Sequence, residues 1–399
     1  MYAETILTRV LAPCLESLHA KRAAVVLRAT AALLQGGIAS LSAIALNLEG
    51  DITLKHRIKS VDRLLDNAGI HLARSELYRS VAKCWLVGLP QLLVVVDWSD
   101  LTKDQRWQLL RASVVIDGRS ITLYEEVHPQ KLLANPKVHR RFLQQLKSIL
   151  PTGCRPIVMT DAGFHAPWFK LVAAHGWNFL GRIRGRNRLQ LADGQWIPAR
   201  DLFARANKNA KDLGMTAYAR SNPVAVRAVL VKRLPKGRHQ LTIHGTKQVG
   251  RASAKNARAA REPWLLVSSP GLQHLAAEAI VGLYSQRMRI EQSFRDTKNL
   301  RVGMGLETAR SRGKQRLEML LLIAHLASFV QRLIGESAKQ QQLELDFTAT
   351  RRVSRREISV LTLARRILDA APHYLRQLLP WSAIPPLTEQ ARRACAGVT

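Results

Sequence analysis

The stretch Gln91-Leu-Leu-Val-Val-Val-Asp97 carries the strongest indication of the fold in this sequence. It is a short apolar run ending in three valines, which is typical of a strand buried inside a sheet. A second run of this kind, Pro156-Ile-Val-Met-Thr-Asp161, also ends on an aspartate. Because strand ends in an α/β sheet form the rim where ligands bind, both carboxylates are candidates for a functional site. Either aspartate alone is more often a turn or a helix cap.

The residues around these two runs predict further strands and helices of one sheet, over residues 89–185. Two β-rich runs flank an Asp-Gly pair at Asp117, which is a strong hairpin signal. Helical spacing follows in two places, and another β-rich run comes after them. The predicted elements are strands at Arg111 to Ile116, Ser120 to Val127 and Trp177 to Ile183, and helices at Val138 to Leu150 and His165 to His175. This order indicates a mixed α/β sheet.

The segments on either side of this region differ in character. Residues 1–88 are rich in Leu, Ala and Arg and predict an N-terminal helical domain. Residues 186–275 carry short β-rich pieces such as Val224 to Val231 and predict a β-rich insertion. Residues 276–336 predict two long helices that complete the α/β domain, and residues 337–399 predict a C-terminal helical region.

The charge of the chain indicates a polyanionic partner. Lys and Arg number 61 against 29 acidic residues, so the formal net charge is +32. Nucleic acid is the expected partner, since Lys and Arg contacts to phosphate supply most sequence-independent affinity. An anionic membrane is the alternative, but the longest apolar run, Met319 to Val330, is interrupted by His325. That run falls short of the ~20 residues that span a bilayer.

The N-terminal residues and the cysteines of the chain predict a cytoplasmic protein. The first residues carry Glu4 and show no basic segment followed by an apolar one, so we expect no signal peptide. The four cysteines are far apart in sequence and form no Cys-x-x-Cys pair: Cys14, Cys84, Cys154 and Cys395. We expect reduced thiols here, with neither a disulfide set nor a zinc site.

A basic stripe marks one helix of the N-terminal segment, in the sequence from Lys55 to Asn67. Ile58, Val61 and Leu65 recur with helical spacing and predict a buried face. Lys55, Lys59 and Arg63 recur four residues apart and predict a basic face elsewhere on the helix. That face is either an ordinary solvated surface or, given the charge of the whole chain, a DNA-contacting one.

The position of two aspartates at strand ends has to be explained in a protein that is expected to bind phosphate. Carboxylates in a phosphate-binding site repel the ligand unless a cation bridges them. Mg²⁺ takes oxygen ligands and is held by one to a few carboxylates plus substrate phosphates. We therefore predict two Mg²⁺ ions, for which Mn²⁺ can substitute, beside Asp97 and Asp161.

A third carboxylate is predicted on a helix running from Tyr284 to Lys298. At about 100° per residue, Tyr284, Arg287, Glu291 and Lys298 fall within an arc of about 60°. A carboxylate between cations on one helix face suits a site for metal and phosphate. The alternative is a salt-bridged surface helix, since Arg287 and Glu291 are also an i,i+4 pair.

The spacing Tyr284-x2-Arg287-x3-Glu291-x6-Lys298 resembles the YREK signature of the DDE insertion-sequence transposases. Four shorter segments and the basic helix support this resemblance, which covers about residues 50 to 335. Within that family, the chain is similar to the transposases of tetracycline-resistance composite transposons. The segments are Val96 to Asp100, Leu110 to Ser113, Asp117 to Ser120, Asp161 to Phe164 and Ile58 to Leu65.

The resemblance implies a fold and a set of roles. The fold is an RNase H-like catalytic core with a β-rich insertion between the second aspartate and the glutamate. Asp97, Asp161 and Glu291 would be the metal-binding catalytic residues. Tyr284, Arg287 and Lys298 would contact the phosphates at the transposon end. Such enzymes act as homodimers on paired ends.

The resemblance also implies a reaction: a water nicks the transposon end, the freed 3′-hydroxyl forms a hairpin, and the reopened end attacks target DNA. The hairpin step needs a base held against an aromatic ring. Trp264 matches the family's stacking tryptophan, and its alternative role is a core Trp on a strand. Two other functions stay open: an RNase H-like structure-specific nuclease that does not rejoin ends, and a non-catalytic DNA-binding protein.

Overall fold

The computed structural model describes residues 2–233, 246, 250–251, 253–254, 261–348 and 358–396. The chain forms two compact units. The first contains residues 1–154 and 288–394, and the second contains residues 155–287 together with the last residues of the chain. In the sequence, the two segments of the first unit therefore lie before and after residues 155–287 of the second.

The first unit begins with helices, as the Leu- and Ala-rich composition predicts. They are α1 (Tyr2–Leu15), α2 (Ala20–Gly36), α3 (Leu41–Leu46), α4 (Leu54–Leu65) and α5 (Ala68–Leu86). Asn67 begins α5 as its N-cap, since its side chain accepts a hydrogen bond from the Ile70 amide. The buried face of α4 differs from the predicted one. Val61, Leu64 and Leu65 are buried, whereas Ile58 is 37% exposed, because the packed face is centred one position further along the helix.

Antiparallel strands follow in the first unit: β1 (Leu93–Asp100), β2 (Trp107–Ile116) and β3 (Arg119–Pro129). The predicted hairpin at Asp117 joins β2 to β3. Its turn requires a positive φ at Gly118, which has φ 70°. Helix α6 (Pro136–Ile149) comes next, with Asn135 as its N-cap. Its apolar face, which includes Phe142 and Leu146, is fully buried.

The second unit is built on a mixed sheet. Its elements are β4 (Ile157–Thr160), α7 (Ala166–Ala174), β5 (Asn178–Ile183), β6 (Arg188–Gln190), β7 (Trp196–Pro198), α8 (Ala199–Leu202), β8 (Lys211–Tyr218), β9 (Val224–Val231), β10 (Trp264–Ser268) and α9 (Ala277–Ser285). The described strands follow the order β4, β5, β10, β9, β8, β6 and β7 across the sheet. In the part of the chain that the structure describes, β4 and β5 pair in parallel and the other pairs of this unit are antiparallel. Strands β6 to β10 agree with the predicted β-rich character of this stretch.

The first unit ends with further helices: α10 (Arg289–Lys298), α11 (Lys314–Gln340), α12 (Val360–Ala370) and α13 (Ile384–Ala394). Helix α11 is long and apolar enough to cross a membrane by length and composition alone. Of its most apolar window, 94% is buried inside the protein. The apolar residues of α11 thus serve as the core of this unit.

The long helix predicted over Tyr284 to Lys298 is interrupted, and this expectation was wrong. Helix α9 ends at Ser285, a 3₁₀ turn spans Gln286–Met288, and α10 begins at Arg289. The Ser285 hydroxyl donates to the Gly282 carbonyl at 2.6 Å, in competition with regular helical bonding. A 3₁₀ turn advances about 120° per residue in place of about 100°, so the single-face calculation fails beyond the break.

Two of the four cysteines lie together, although they are 70 residues apart in sequence. The Sγ atoms of Cys14 on α1 and Cys84 on α5 are 3.3 Å apart. All four cysteines are free thiols in this structure. The hydrogen bond between these two raises the pKa of Cys14 and lowers that of Cys84. Cys84, which is half-buried, is therefore the readier of the two to form a thiolate.

We expect diamide, a two-electron thiol oxidant, to link Cys14 to Cys84 through a disulfide. The Cys84 thiolate adds to the nitrogen–nitrogen double bond of diamide. The Cys14 sulfur then displaces the reagent as its hydrazine, which carries away both thiol protons and the two electrons. Peptide mapping without reductant would detect the link. Cys84→Ser should abolish it, whereas Cys154→Ser should not, and a parent protein that stays unlinked would contradict the pairing.

A close approach between α11 and α12 predicts a destabilising substitution. A Cβ atom at Gly335 would overlap the backbone carbonyl of Val360. We expect Gly335→Ala to lower the free energy of unfolding by about 1–3 kcal/mol, because two packed helices must separate. A Cβ atom at Gly282 in α9 would meet no atom within 4 Å, so Gly282→Ala should be neutral or stabilising by about 1 kcal/mol. Thermal denaturation of both variants checks the pair, and equal melting shifts would contradict it.

Candidate active site

Asp97 lies where β1 leaves the core. The strand is buried from Leu93 to Asp97 and then becomes progressively exposed. Asp97 is 6% exposed, and its Oδ1 accepts a hydrogen bond from the Trp98 amide at 2.8 Å. Trp98 itself packs against His128 and His139, and its indole Nε1 donates to His139 Nε2 at 3.1 Å. Asp97 is therefore a carboxylate set in a fixed position at the edge of the apolar interior.

Helix α10, which carries Glu291 and Lys298, belongs to the same unit as β1. Its last residue, Lys298, lies at the end of β1. Glu291 is exposed in the first turn of α10, where the helix dipole favours an acidic side chain. The Lys298 Nζ donates to Ser99 Oγ at 2.6 Å and to the Asp100 carbonyl at 2.9 Å. Burial and then the charge of Arg111 lower the pKa of Lys298, while Asp100 and Glu291 oppose that shift. Residues almost 200 positions apart thus meet at one strand end.

Arg111 is a residue of this region to which the sequence assigns no role. It is 1% exposed and occupies the position on β2 that pairs with Asp97 on β1. Its guanidinium group binds Glu125 on β3 and the hydroxyl groups of Ser293 and Thr297 on α10. The available sequence signal is an arginine within the largely apolar run Leu109 to Ile116, where a charge needs buried partners.

Asp161 follows β4 in the second unit. It is half-buried, and its Oδ1 accepts a hydrogen bond from the Gly163 amide at 2.8 Å. A side chain at Gly163 would press against that oxygen, since its Cβ would lie 3.0 Å away. The short turn therefore fixes the Asp161 carboxylate immediately after the strand. His165, at the N-cap position of α7, is exposed.

Trp264, Tyr284 and Arg233 form an aromatic and cationic group in the second unit. The Trp264 and Tyr284 rings meet edge to face, with centroids 5.1 Å apart. The Arg233 guanidinium lies 5.3 Å from the centre of the Trp264 ring. Trp264 remains half-buried at the start of β10, whereas Tyr284 is 4% exposed. The indole thus has two ring contacts and still keeps part of its surface accessible.

Arginines gather around the same group. Burial, followed by the charge of Arg184, lowers the pKa of Arg182 to about 10, and Arg287 acts in the same direction. Glu262 partly compensates, since its Oε2 lies 2.7 Å from an Arg184 terminal nitrogen. Arg287 lies in the 3₁₀ turn after α9. The balance of charge here is cationic, which favours a phosphate ligand.

The basic stripe on α4 is exposed. Lys55, Lys59 and Arg63 all lie on the solvent side of the helix, opposite the buried Val61 and Leu65. The neighbouring acidic residues of α4 and its C-cap are engaged elsewhere, since Asp62 and Asp66 both bind Arg316. The three cations thus form a face that a polyanion can reach.

The predicted metal ligands suit Mg²⁺ by chemistry. Asp97, Asp161 and Glu291 offer hard carboxylate oxygens, which Mg²⁺ and Mn²⁺ prefer over softer ligands. Among the residues that the structure describes, no three His, Cys, Asp or Glu side chains form a group able to hold a metal ion. The three-carboxylate site therefore stays a prediction that rests on donor type and on where each residue stands in its element.

Comparison with known proteins decides the family. A family model described as a transposase DDE domain matches residues 88–330, which is more than half of the chain. The chain belongs to the DDE transposase family. None of the curated proteins compared with this transposase matches it.

Family membership accounts for the general features of the transposase. The mixed α/β structure and its large mixed sheet agree with the RNase H-like fold of DDE transposases. The family consists of enzymes that cleave and transfer DNA with the help of divalent metal ions. The net charge of +32 agrees with a DNA substrate.

Proposed function

We propose that this transposase is a cut-and-paste enzyme of the YREK group that excises its element through hairpin ends. The observation that carries the proposal is the contact of Lys298 with the end of β1. It anchors the helix that bears the glutamate and lysine of the YREK spacing to the strand that holds Asp97. A salt-bridged surface helix would not require this contact with a strand end.

We assign the metal-binding role to Asp97, Asp161 and Glu291, with Mg²⁺ as the ion and Mn²⁺ as its substitute. Two such ions, when bound, activate a water or a 3′-hydroxyl and stabilise the leaving oxygen. The fixed orientation of the Asp97 and Asp161 carboxyl groups supports the assignment, since each accepts a hydrogen bond from a backbone amide.

We assign phosphate contacts at the transposon end to Tyr284, Arg287 and Lys298. Lys298 is anchored through Ser99 and Asp100, so its ammonium group is held at the strand end at little further entropic cost. Arg287 adds a cation to the arginine group of the second unit. A guanidinium group binds a phosphate through two parallel hydrogen bonds, which fixes the DNA backbone in orientation.

Trp264 is proposed to stack on the base that leaves the helix during hairpin formation. Its half-buried ring supports this role over that of an ordinary core tryptophan. Tyr284 packs against it edge to face, and Arg233 adds positive charge beside the ring. Base stacking on such a ring contributes about 1–3 kcal/mol, which compensates for part of the unstacking.

The partners proposed are inverted-repeat DNA at the transposon ends, target DNA and a second copy of the chain in the DNA complex. The exposed cations Lys55, Lys59 and Arg63 support DNA binding by α4. A cytoplasmic location follows from this function, without a role for a membrane.

The deciding experiment is a strand-transfer assay with purified transposase, Mg²⁺ and a duplex that carries the inverted repeats flanking the gene. We expect a nick, a hairpin that runs as a longer single strand on a denaturing gel, and joined products with plasmid DNA. Cleavage without joining would instead indicate a structure-specific nuclease. End binding without any cleavage would indicate a non-catalytic DNA-binding protein.

A further inference from the structure

Arg111 faces the same side of the sheet as Asp97. The two residues pair across β1 and β2, and directly paired residues of antiparallel strands point to the same face. Both are buried, at 1% and 6% exposure. A buried arginine beside a candidate catalytic carboxylate is costly unless its donors are all engaged.

The guanidinium group of Arg111 joins three elements. Its Nε donates to Glu125 Oε2 at 2.7 Å, and a terminal nitrogen lies 2.6 Å from the same oxygen. The two terminal nitrogens then reach α10, with bonds of 2.9 Å to Ser293 Oγ and 3.0 Å to Thr297 Oγ1. Ser293 and Thr297 stand one helical turn apart, so the planar group holds α10 at two points.

Glu125 is itself held in place, so the arginine has a rigid support. Its Oε1 accepts a hydrogen bond from the Tyr78 hydroxyl at 3.0 Å, and its backbone carbonyl accepts one from Arg74 at 2.8 Å. Both donors come from α5. The interaction therefore runs from α5 through β3 and Arg111 to α10, within one compact unit.

Helix α10 carries Glu291, the proposed metal ligand, and Lys298, the proposed phosphate contact. Glu291 lies two positions before Ser293, and Lys298 lies one position after Thr297. The contact of Lys298 with Ser99 and Asp100 fixes the end of the helix. The two contacts of Arg111 fix its rotation about its own axis from the side of β2, and Arg119 on β3 supports them by binding Gln292 and Asp296. A rotation of one residue step, about 100°, would carry Glu291 to another face.

We propose that Arg111 is a positioning residue that sets the rotation of α10 and so keeps Glu291 and Lys298 aligned with Asp97. This inference rests on the proposed function, which assigns metal binding to Asp97 and Glu291 and phosphate binding to Lys298. Lysine cannot replace arginine here, because a single ammonium group lacks the planar arrangement that reaches Glu125, Ser293 and Thr297 at once. A small cavity of about 40 Å³, lined by both polar and apolar side chains, adjoins Arg111, so water can hydrate a shorter side chain there.

Two variants test the proposal. Arg111→Lys keeps the charge and removes the planar group, and the double variant Ser293→Ala/Thr297→Val removes the helix contacts while the Arg111–Glu125 pair remains. Arg227→Lys is the matched control, since Arg227 is also buried and bonds to Asp212 and to the Leu272 and Leu275 carbonyls. The double variant covers the case in which Arg111→Lys fails to fold.

The first measurement is hydrogen–deuterium exchange of the α10 amides, without metal or DNA. We expect faster exchange in α10 for both test variants and parental α10 exchange for the control. The second is the Mn²⁺ concentration for half-maximal DNA cleavage. We expect it to rise about 10–100-fold, as for other residues that orient metal ligands, with the maximal rate recovering at high Mn²⁺. Glu291→Gln should not recover at any Mn²⁺ concentration.

Unchanged α10 exchange together with parental Mn²⁺ dependence in the folded variants would overturn the proposal. Changed exchange with parental Mn²⁺ dependence would also overturn it, because Arg111 would then serve stability alone. A parent protein that never cleaves DNA would contradict the proposed function, and the exchange arm would still decide whether Arg111 holds α10. The two failures are therefore distinguishable.

Discussion

Replacing Asp97 by asparagine is expected to slow DNA cleavage by about a thousandfold or more, while binding to the transposon end stays near the parental affinity. Asparagine has the shape of aspartate, and its side-chain oxygen can still accept the hydrogen bond from the Trp98 amide. The fold therefore stays intact, and what disappears is the negative charge. A metal ion contributes several kcal/mol to such a transition state, and about 4 kcal/mol corresponds to a thousandfold in rate.

Asp100→Asn is the matched control for this prediction. Asp100 stands on the same strand, and its carboxylate accepts hydrogen bonds from Gln105 and Gln108. Its backbone carbonyl, which receives Lys298, is not altered by the substitution. We expect near-parental cleavage from this variant in a nicking assay with labelled DNA. Cleavage at the parental rate by Asp97→Asn would contradict the metal-dependent mechanism. An equal loss of cleavage activity in both variants would instead indicate general damage to β1.

Raising the salt concentration from about 50 to about 200 mM is expected to weaken DNA binding by about 10³–10⁵-fold, if roughly 6–10 phosphates are neutralised. The net charge of +32 supports contacts on this scale. Within that total, we expect the triple variant Lys55→Ala/Lys59→Ala/Arg63→Ala to reduce the slope of log affinity against log salt by roughly 2.7, or about 0.9 for each lost phosphate contact. Fluorescence anisotropy with a labelled end duplex measures the slope.

The charge-matched control for α4 is the triple variant Lys131→Ala/Lys147→Ala/Lys339→Ala. These lysines are exposed and stand on other elements of the first unit. We expect this control to change the slope much less than the α4 variant. Equal slopes for the two triple variants would mean that α4 contributes only to the overall charge, and its assignment as a DNA-contacting helix would fail.

The elements around the candidate site follow from local sequence patterns. The apolar runs before Asp97 and Asp161 form β1 and β4, and the Asp-Gly pair at Asp117 forms the turn between β2 and β3. Such elements depend on side-chain periodicity and turn chemistry over a few neighbouring residues. The net charge and the YREK spacing led from the same sequence to the transposase family, which the family model supports.

Helix packing was less predictable, because it depends on what lies opposite each face. Ile58 has the spacing of a buried residue and is exposed, since the helices packed on α4 cover Val61 and Leu64 instead. The helix through Tyr284 and Lys298 looks continuous in sequence, yet a 3₁₀ turn divides it at Gln286–Met288. Local propensity differs by only a few tenths of a kcal/mol between such alternatives, so tertiary contacts decide.

The sequence by itself determined the strands that end in Asp97 and Asp161, the helical N-terminus and the cationic character of this transposase. Only the tertiary structure decided that Lys298 reaches Ser99, that Arg111 holds Ser293 and Thr297, and that Cys14 meets Cys84. The physical reason is range. Periodicity and turns arise between neighbouring residues, whereas these contacts join residues 70 to 199 positions apart, which only the path of the folded chain brings together.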